Sequence, residues 1–272
     1  MRLIDSHAHL QAGAFRLDAD EVLAAARAAG IERILVPGWD ADSSLLALGM
    51  AAASDIDASA GIHPHGAAMA TDGDWVLIER LAHLPRVVAI GETGLDYDRG
   101  FSPRDVQLAN LRRHLALARD AGKPVILHCR SKPTRRDAQD DLIRELVDAG
   151  AGTPSWLPAG GRPPGLLHSF SGPVDYAEGA LSLGLAISFS GLAFRAGEEA
   201  TASVARIVPA NRLLAETDSP YLSPPGAPRR RNEPLWVEVT TAWLAEVRGV
   251  AAVAIGEQLV ENYDRIFSRR PT

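Results

Sequence analysis

The chain has 272 residues, 46% of them hydrophobic and 23% charged, with a formal net charge of −6 and a pI near 5.8. That size and apolar content suit one α/β barrel. The acidic balance excludes a protein that coats nucleic acid, though not an enzyme with a local basic patch. The one cysteine, Cys129, excludes an intrachain disulfide, and no run of about 20 apolar residues suggests a membrane span. Met1 leads straight into Leu3-Ile4-Asp5-Ser6-His7, without the basic and apolar regions of a signal peptide. The expectation is a cytoplasmic protein forming one domain over residues 1–272, with a monomer favoured.

Short apolar runs recur at residues 2–6, 33–37, 57–62, 87–92, 124–128, 165–168, 185–190 and 213–218, each ended by a polar, Gly or Pro signal. Amphipathic stretches separate them. Val22, Leu23, Ala26 and Ala29 follow the first run at helical spacing. Leu108, Leu111, Leu115 and Ala118 follow the fourth, and Leu142, Ile143, Leu146 and Val147 the fifth. Asp42, Ser102-Pro103 and Pro173 are expected helix starts. Eight alternations predict an α/β fold with a parallel sheet, and eight strands close a (β/α)8 TIM barrel. An open doubly wound sheet competes, but the phosphate-binding glycine fingerprint is missing after the first strand. Residues 150–165 (GAGTPSWLPAGGRPPG) are dense in Gly and Pro and read as an irregular loop at the bottom of the barrel, with Trp156 as its one contact-forming residue.

The chemistry-bearing residues cluster. Of eight histidines, His7, His9, His63, His65, His128 and His168 fall at or just after predicted strand ends, where an α/β barrel places its catalytic face. Only His83 and His114 lie in helical stretches. His7 and His9, two apart, point to one face and suit a shared cation. Glu92 ends the fourth run between two glycines, and its carboxylate is able to bridge two cations. Asp218 ends the eighth run, which neighbours the first in a closed barrel; it suits both metal ligation and acceptance of a proton from water. Four histidines and two carboxylates fit borderline cations such as Zn²⁺ or Mn²⁺ better than Mg²⁺. Two such ions activate a shared hydroxide.

With these residues in place, the sequence resembles the TatD family of metal-dependent hydrolases. The matching stretches are Asp5-Ser6-His7-Ala8-His9-Leu10, Gly61-Ile62-His63-Pro64, Gly91-Glu92-Thr93-Gly94-Leu95-Asp96 and Pro124-Val125-Ile126-Leu127-His128-Cys129-Arg130. His168-Ser169-Phe170-Ser171-Gly172, Glu216-Thr217-Asp218-Ser219-Pro220 and Arg231-Asn232-Glu233-Pro234 complete the set. The resemblance implies one metal at His7, His9 and Asp218 and another at His128 and His168, with Glu92 bridging. It also implies a deoxyribonuclease, acting 3′ to 5′ on single strands, with two divalent ions (Mg²⁺, Mn²⁺ or Zn²⁺). The family's usual cysteine after the sixth-strand histidine is Ser169 here, at a position that is not a ligand.

Phosphodiester cleavage also needs cations for the nonbridging oxygens. Arg130, Lys132, Arg195 and the run Arg229, Arg230 and Arg231 are candidates, and Asn232 joins Arg130 and Arg231 as an expected substrate-binding residue. His63 is expected to donate to a phosphate or leaving oxygen, with a hydrogen-bonded structural role as its alternative. Tyr97, Phe170 and Phe194 are candidate base-stacking residues, with packing as their alternative role. Rival readings are a metal-dependent deacylase of aminoacyl esters, a small-molecule amidohydrolase and a silent binding barrel. The carbamylated lysine typical of amidohydrolases has no counterpart, since the only lysines are Lys123 and Lys132.

Overall fold

The computed structural model describes residues 1–154, 156 and 162–267. Eight strands form one parallel sheet in chain order: β1 (Leu3–Asp5), β2 (Ile31–Val36), β3 (Ile56–Ala60), β4 (Val87–Asp96), β5 (Val125–Arg130), β6 (Gly165–Leu167), β7 (Ala186–Phe189) and β8 (Leu213–Ala215). Ser6 N–H donates to Ala215 O, Asp218 N–H to His7 O and His9 N–H to Ser219 O, so β1 and β8 close the barrel. This is the predicted (β/α)8 arrangement, with strand ends shifted by a few residues. Helices α1 (Ala19–Ala28), α2 (Ala41–Met50), α3 (Asp72–Ala82), α4 (Arg104–Ala121), α5 (Asp137–Asp148), α6 (Val174–Ser182) and α7 (Thr201–Ile207) fill the crossovers. Helices α8 (Val237–Arg248) and α9 (Ala252–Phe267) follow β8. No single helix among the described residues is long and apolar enough to cross a membrane.

The apolar periodicity is what packs the helices. Val22, Leu23 and Ala26 of α1, Leu111, Leu115 and Ala118 of α4, and Leu142 and Leu146 of α5 are all buried against the sheet. Val147 is more than half exposed, beyond the buried edge of its helix. α2 begins at Ala41, one residue before the expected Asp42, because Asp40 is the cap. Its carboxylate accepts from Ser43 N–H (2.7 Å) while Ser43 Oγ accepts from Asp40 N–H (2.9 Å). α4 and α6 start directly after Pro103 and Pro173, as expected. Residue 155 and residues 157–161 of the predicted 150–165 loop lie outside the described residues. Trp156 is buried, with the Arg119 guanidinium 5.6 Å from its ring.

One helix face is polar and buried. On α4, Gln107, Asn110 and His114 turn toward the barrel mouth instead of the apolar layer. Gln107 accepts from Asp96 N–H (2.7 Å) and donates to Asp96 O and Ser102 O. Asn110 donates to Ile62 O (2.8 Å). His114 Nε2 accepts from Ile62 N–H (2.9 Å), and its Nδ1–H donates to Asn110 O (2.8 Å). These bonds fix the segments after β3 and within β4, one of which carries His63.

Burial lowers the His114 pKa to about 4. The unfolded chain therefore takes up a proton near pH 6.5 that the native imidazole refuses until about pH 4. The stability from this group is present in full above pH 6.5 and is lost as pH falls through that window, by about 3 kcal/mol at most. Urea unfolding of wild type and His114→Gln at pH 7 and pH 4 checks this. The variant loses less stability across the interval, and equal losses in both proteins rule the contribution out.

Candidate metal centre and active-site cleft

The carboxyl ends of the strands surround a cleft of about 700 Å³ whose walls include His9, His63, Glu92, His128, His168 and Asp218. Glu92 stands at its centre. β4 runs past it to Asp96, four residues further than predicted, through a register shift against β5 between Ile90 and Thr93. Gly91 and Gly94 make this bend feasible. Both have positive φ (127° and 131°), and a Cβ on Gly91 would stand 2.6 Å from Ile126 O.

Each Glu92 oxygen faces its own set of nitrogens. Oε1 lies 3.2 Å from His63 Nε2, 3.2 Å from His128 Nδ1 and 2.9 Å from His168 Nε2. Oε2 lies 3.3 Å from His7 Nε2 and 3.7 Å from His9 Nε2. Asp218 Oδ1 completes the second set, 3.3 Å from His9 Nε2 and 3.8 Å from His7 Nε2. Two ligands about 2.1 Å from a tetrahedral cation lie about 3.4 Å apart, so these atoms are spaced as cation ligands would be. His7, Glu92 and His168, and His7, His9 and Asp218, are two groups able to hold a metal ion.

Burial opposes the charge on Glu92, yet His168, His63 and His7 outweigh it and hold the carboxylate well below its usual pKa. The reverse balance acts on His168. Burial disfavours its charged form, but Glu92 and Glu216 raise the pKa to about 10. His7, buried and stacked on His168 at 4.0 Å, is shifted down by burial and then by that neighbouring charge.

The residues behind the candidate ligands define tautomers. Asp96 Oδ2 accepts from His128 Nε2–H (3.2 Å) and His65 Nε2–H (2.6 Å), leaving His128 Nδ1 aimed at Glu92. Glu216 Oε1 accepts from His168 Nδ1–H (3.2 Å), and Ser188 Oγ–H donates to Glu216 in turn. His63, His65 and His128 form a third possible metal group, but Asp96 already satisfies two of its members. His63 differs from the ligands. Its Nδ1 accepts from His65 N–H (3.1 Å), and burial lowers its pKa to about 4, so the neutral ring carries its proton on Nε2. His63 is thus built as a donor toward the centre. Asp5 ties β1 to β8, accepting from His7 N–H (3.2 Å), Thr217 N–H (3.0 Å) and Thr217 Oγ–H (2.5 Å). Its distance in sequence from Thr217 concealed this link, and the roles of Asp96 and Glu216 were likewise not foreseen.

The expected substrate residues separate. Arg130 lines the cleft and donates to Ser169 O (3.2 Å). Arg231 does not line it. Its guanidinium donates to Ala14 O, Asp18 and Glu233 at 2.7–3.0 Å and lies over Phe15, so two carboxylates have already claimed its charge. Asn232 is fully buried, and its amide donates to Thr217 O (3.0 Å) and Tyr221 O (2.8 Å). It holds the segment bearing Asp218 and is closed to a ligand. Lys132, Arg195, Arg229 and Arg230 are exposed outside the cleft walls. Tyr97 donates to Asp141 (2.8 Å), Phe170 packs on Tyr176 and Phe189, and Phe194 on Trp243; all three take the packing role. Ser169 Oγ shares a hydrogen bond with Ser190 (2.5 Å).

A closed parallel barrel with histidines and carboxylates converging at its strand ends defines the class of metal-dependent hydrolase barrels. The family model described as TatD related DNase matches residues 4–268, and the chain belongs to this family. It is 34% identical over 266 residues to the uncharacterized metal-dependent hydrolase YabD of Bacillus subtilis, covering 97% of this chain and 98% of that protein. It is 35% identical over 273 residues to the 3′-5′ ssDNA/RNA exonuclease TatD of Erwinia billingiae, covering 97% and 98%. The structure of YJJV, a TatD homolog from Escherichia coli K12, superposes with a TM-score of 0.83 at 29% identity over 98% of both chains.

Replacing the carboxylates behind the ligands tests their contribution without touching a ligand. Asp96→Asn and Glu216→Gln are each expected to weaken divalent-ion affinity about 10- to 100-fold. Competition with a fluorescent chelator measures the change, and unchanged affinity in both variants discards the role.

Proposed function

We propose that the protein is a deoxyribonuclease that removes nucleotides from the 3′ end of single-stranded DNA, using two divalent ions (Mg²⁺, Mn²⁺ or Zn²⁺). The observation that carries this reading is Glu92, whose two oxygens face two separate sets of donor atoms. In the first set are His7, His9 and Asp218; in the second, His128 and His168. Glu92, Asp96, Glu216 and Asp218 also bring four carboxylates into one buried volume, which two divalent ions would balance charge for charge. The activity itself is carried over from the name of the Erwinia relative. The cytoplasm as location and a monomeric state complete the proposal.

When bound, the ions supply an acidified water and neutralise charge on the attacking and leaving oxygens. The protein's own groups do the rest. Asp218 keeps a lowered pKa, because His9 and His7 outweigh its burial, and it accepts the proton released by the attacking water. His63 Nε2–H donates to a phosphate or leaving oxygen as a neutral imidazole. Arg130 faces the nonbridging oxygens from the cleft wall. An amidohydrolase of the lysine-bridged kind is disfavoured, since Glu92 would take the bridging place and Lys123 donates to Ala82 O and Leu84 O away from the cleft.

End-labelled single-stranded DNA incubated with Mg²⁺, Mn²⁺ or EDTA tests the reading, with Asp218→Asn as control. Metal-dependent shortening from the 3′ end is expected, and the control is expected to be inactive. Absence of cleavage by protein shown to hold two ions overturns the nuclease assignment. His63→Ala should lower kcat about 10²- to 10³-fold while metal content stays at wild-type level. His63→Gln, which retains an N–H, should recover part of that loss. A fall in metal content would instead make His63 a ligand.

A further inference from the structure

Two aromatic side chains line the cleft without taking part in the metal chemistry. We propose that Trp39 and Tyr221 form a stacking platform for one nucleobase beside the scissile phosphodiester. The inference rests on the nuclease reading and adds to it how the unpaired strand is held.

Both rings belong to the cleft wall and both stand edge-on to His9, Trp39 at 5.3 Å and 68°, Tyr221 at 5.9 Å and 70°. They therefore border the centre at the His9–Asp218 end. Arg99 and Arg130 line the cleft as well, and Arg99 N–H donates to Asp96 beside His65 and His128. The cleft thus offers aromatic faces at one end and cationic groups toward the other, the pairing that single-stranded nucleic acid requires for its bases and its phosphates.

An exposed tyrosine alone is ordinary. Here the residue is 58% exposed while its backbone is held at two points. Tyr221 N–H donates to Asp218 O (2.8 Å), and Tyr221 O accepts from the buried Asn232 amide (2.8 Å). Trp39 is fixed in the same manner, its N–H donating to Ser43 Oγ (2.9 Å) and its O accepting from His63 N–H (2.8 Å). Each aromatic is thereby tied to a residue of the catalytic centre, Tyr221 to Asp218 and Trp39 to His63. A base resting on them is placed relative to the same atoms that act on its phosphate. Stacking occupies a face of the base that a duplex keeps covered, so the platform selects an unpaired end, and it tolerates any of the four bases.

The test compares oligonucleotides carrying either normal nucleotides or base-free tetrahydrofuran residues at the last two 3′ positions. Wild-type protein loaded with Mn²⁺ should show a KM about tenfold higher for the base-free oligonucleotide. Trp39→Leu and Tyr221→Leu should show that higher KM on the normal substrate and little further penalty on the base-free one. Trp39→Phe and Tyr221→Phe should restore the discrimination. A second readout needs no turnover: fluorescence anisotropy of labelled oligothymidylate with protein in EDTA should give about tenfold weaker binding for the leucine variants. Leucine variants that keep the wild-type ratio between the two substrates overturn the platform, as does a loss confined to kcat on both substrates. Failure of the wild type to degrade either oligonucleotide would instead bring down the nuclease reading beneath it.

Discussion

The whole mouth of the barrel is organised around the cost of burying the Glu92 carboxylate. An anion removed from water is tolerated only when opposite charge and hydrogen-bond donors surround it. Imidazoles from β5 and the segments after β1, β3 and β6 do so, and they must approach from several directions at once. Burial disfavours the charged form of His168, and Glu92 and Glu216 overcome that burial to raise its pKa. A proton and a metal ion would compete for the same Nε2 lone pair, so metal affinity and protonation would be linked at this ring.

The same constraint explains why β4 departs from the predicted pattern. The strand continues to Asp96, with glycines on either side of Glu92 permitting close approach to β3 and β5. A Cβ on Gly61 of the neighbouring segment would meet Gly91 Cα at 2.5 Å, so the two glycines secure one contact from both sides. The extension then carries Asp96 behind His128, whose ring it orients.

The alternation of strands and helices was readable because each element buries a face with its own period, and the six ligand candidates were readable because they follow or end the short apolar runs. What escaped were partners joined only by the closure of the fold. Asp5 with Thr217, and His114 with Ile62, lie 212 and 52 residues apart, and no local spacing reveals them. Charge was a poor guide for the opposite reason. Arg231 lies in a motif of the right family, yet Asp18 from the approach to α1 folds onto it and neutralises it. Trp39 and Tyr221 carried no period or motif to mark them, and only their shared contact with His9 places them at the cleft.

Rigidity at the mouth follows from how the ligand-bearing segments are fastened. Gln107, Asn110 and His114 hold the β3 and β4 segments from the side of α4, and Asn232 holds the β8 segment from the far side. Asp218 itself adopts a positive φ of 55°, a conformation that a non-glycine residue keeps only when its surroundings impose it. Three backbone bonds do so here, from Asp218 N–H to His7 O, from Tyr221 N–H to Asp218 O and from His9 N–H to Ser219 O. Asp218 therefore stays in position beside His7 and His9 before any ligand arrives, and the cost of that geometry is met during folding. On the nuclease reading, a flexible strand entering such a cleft would have to do the adapting, and fixed aromatic faces and cations would serve the site better than a moving lid.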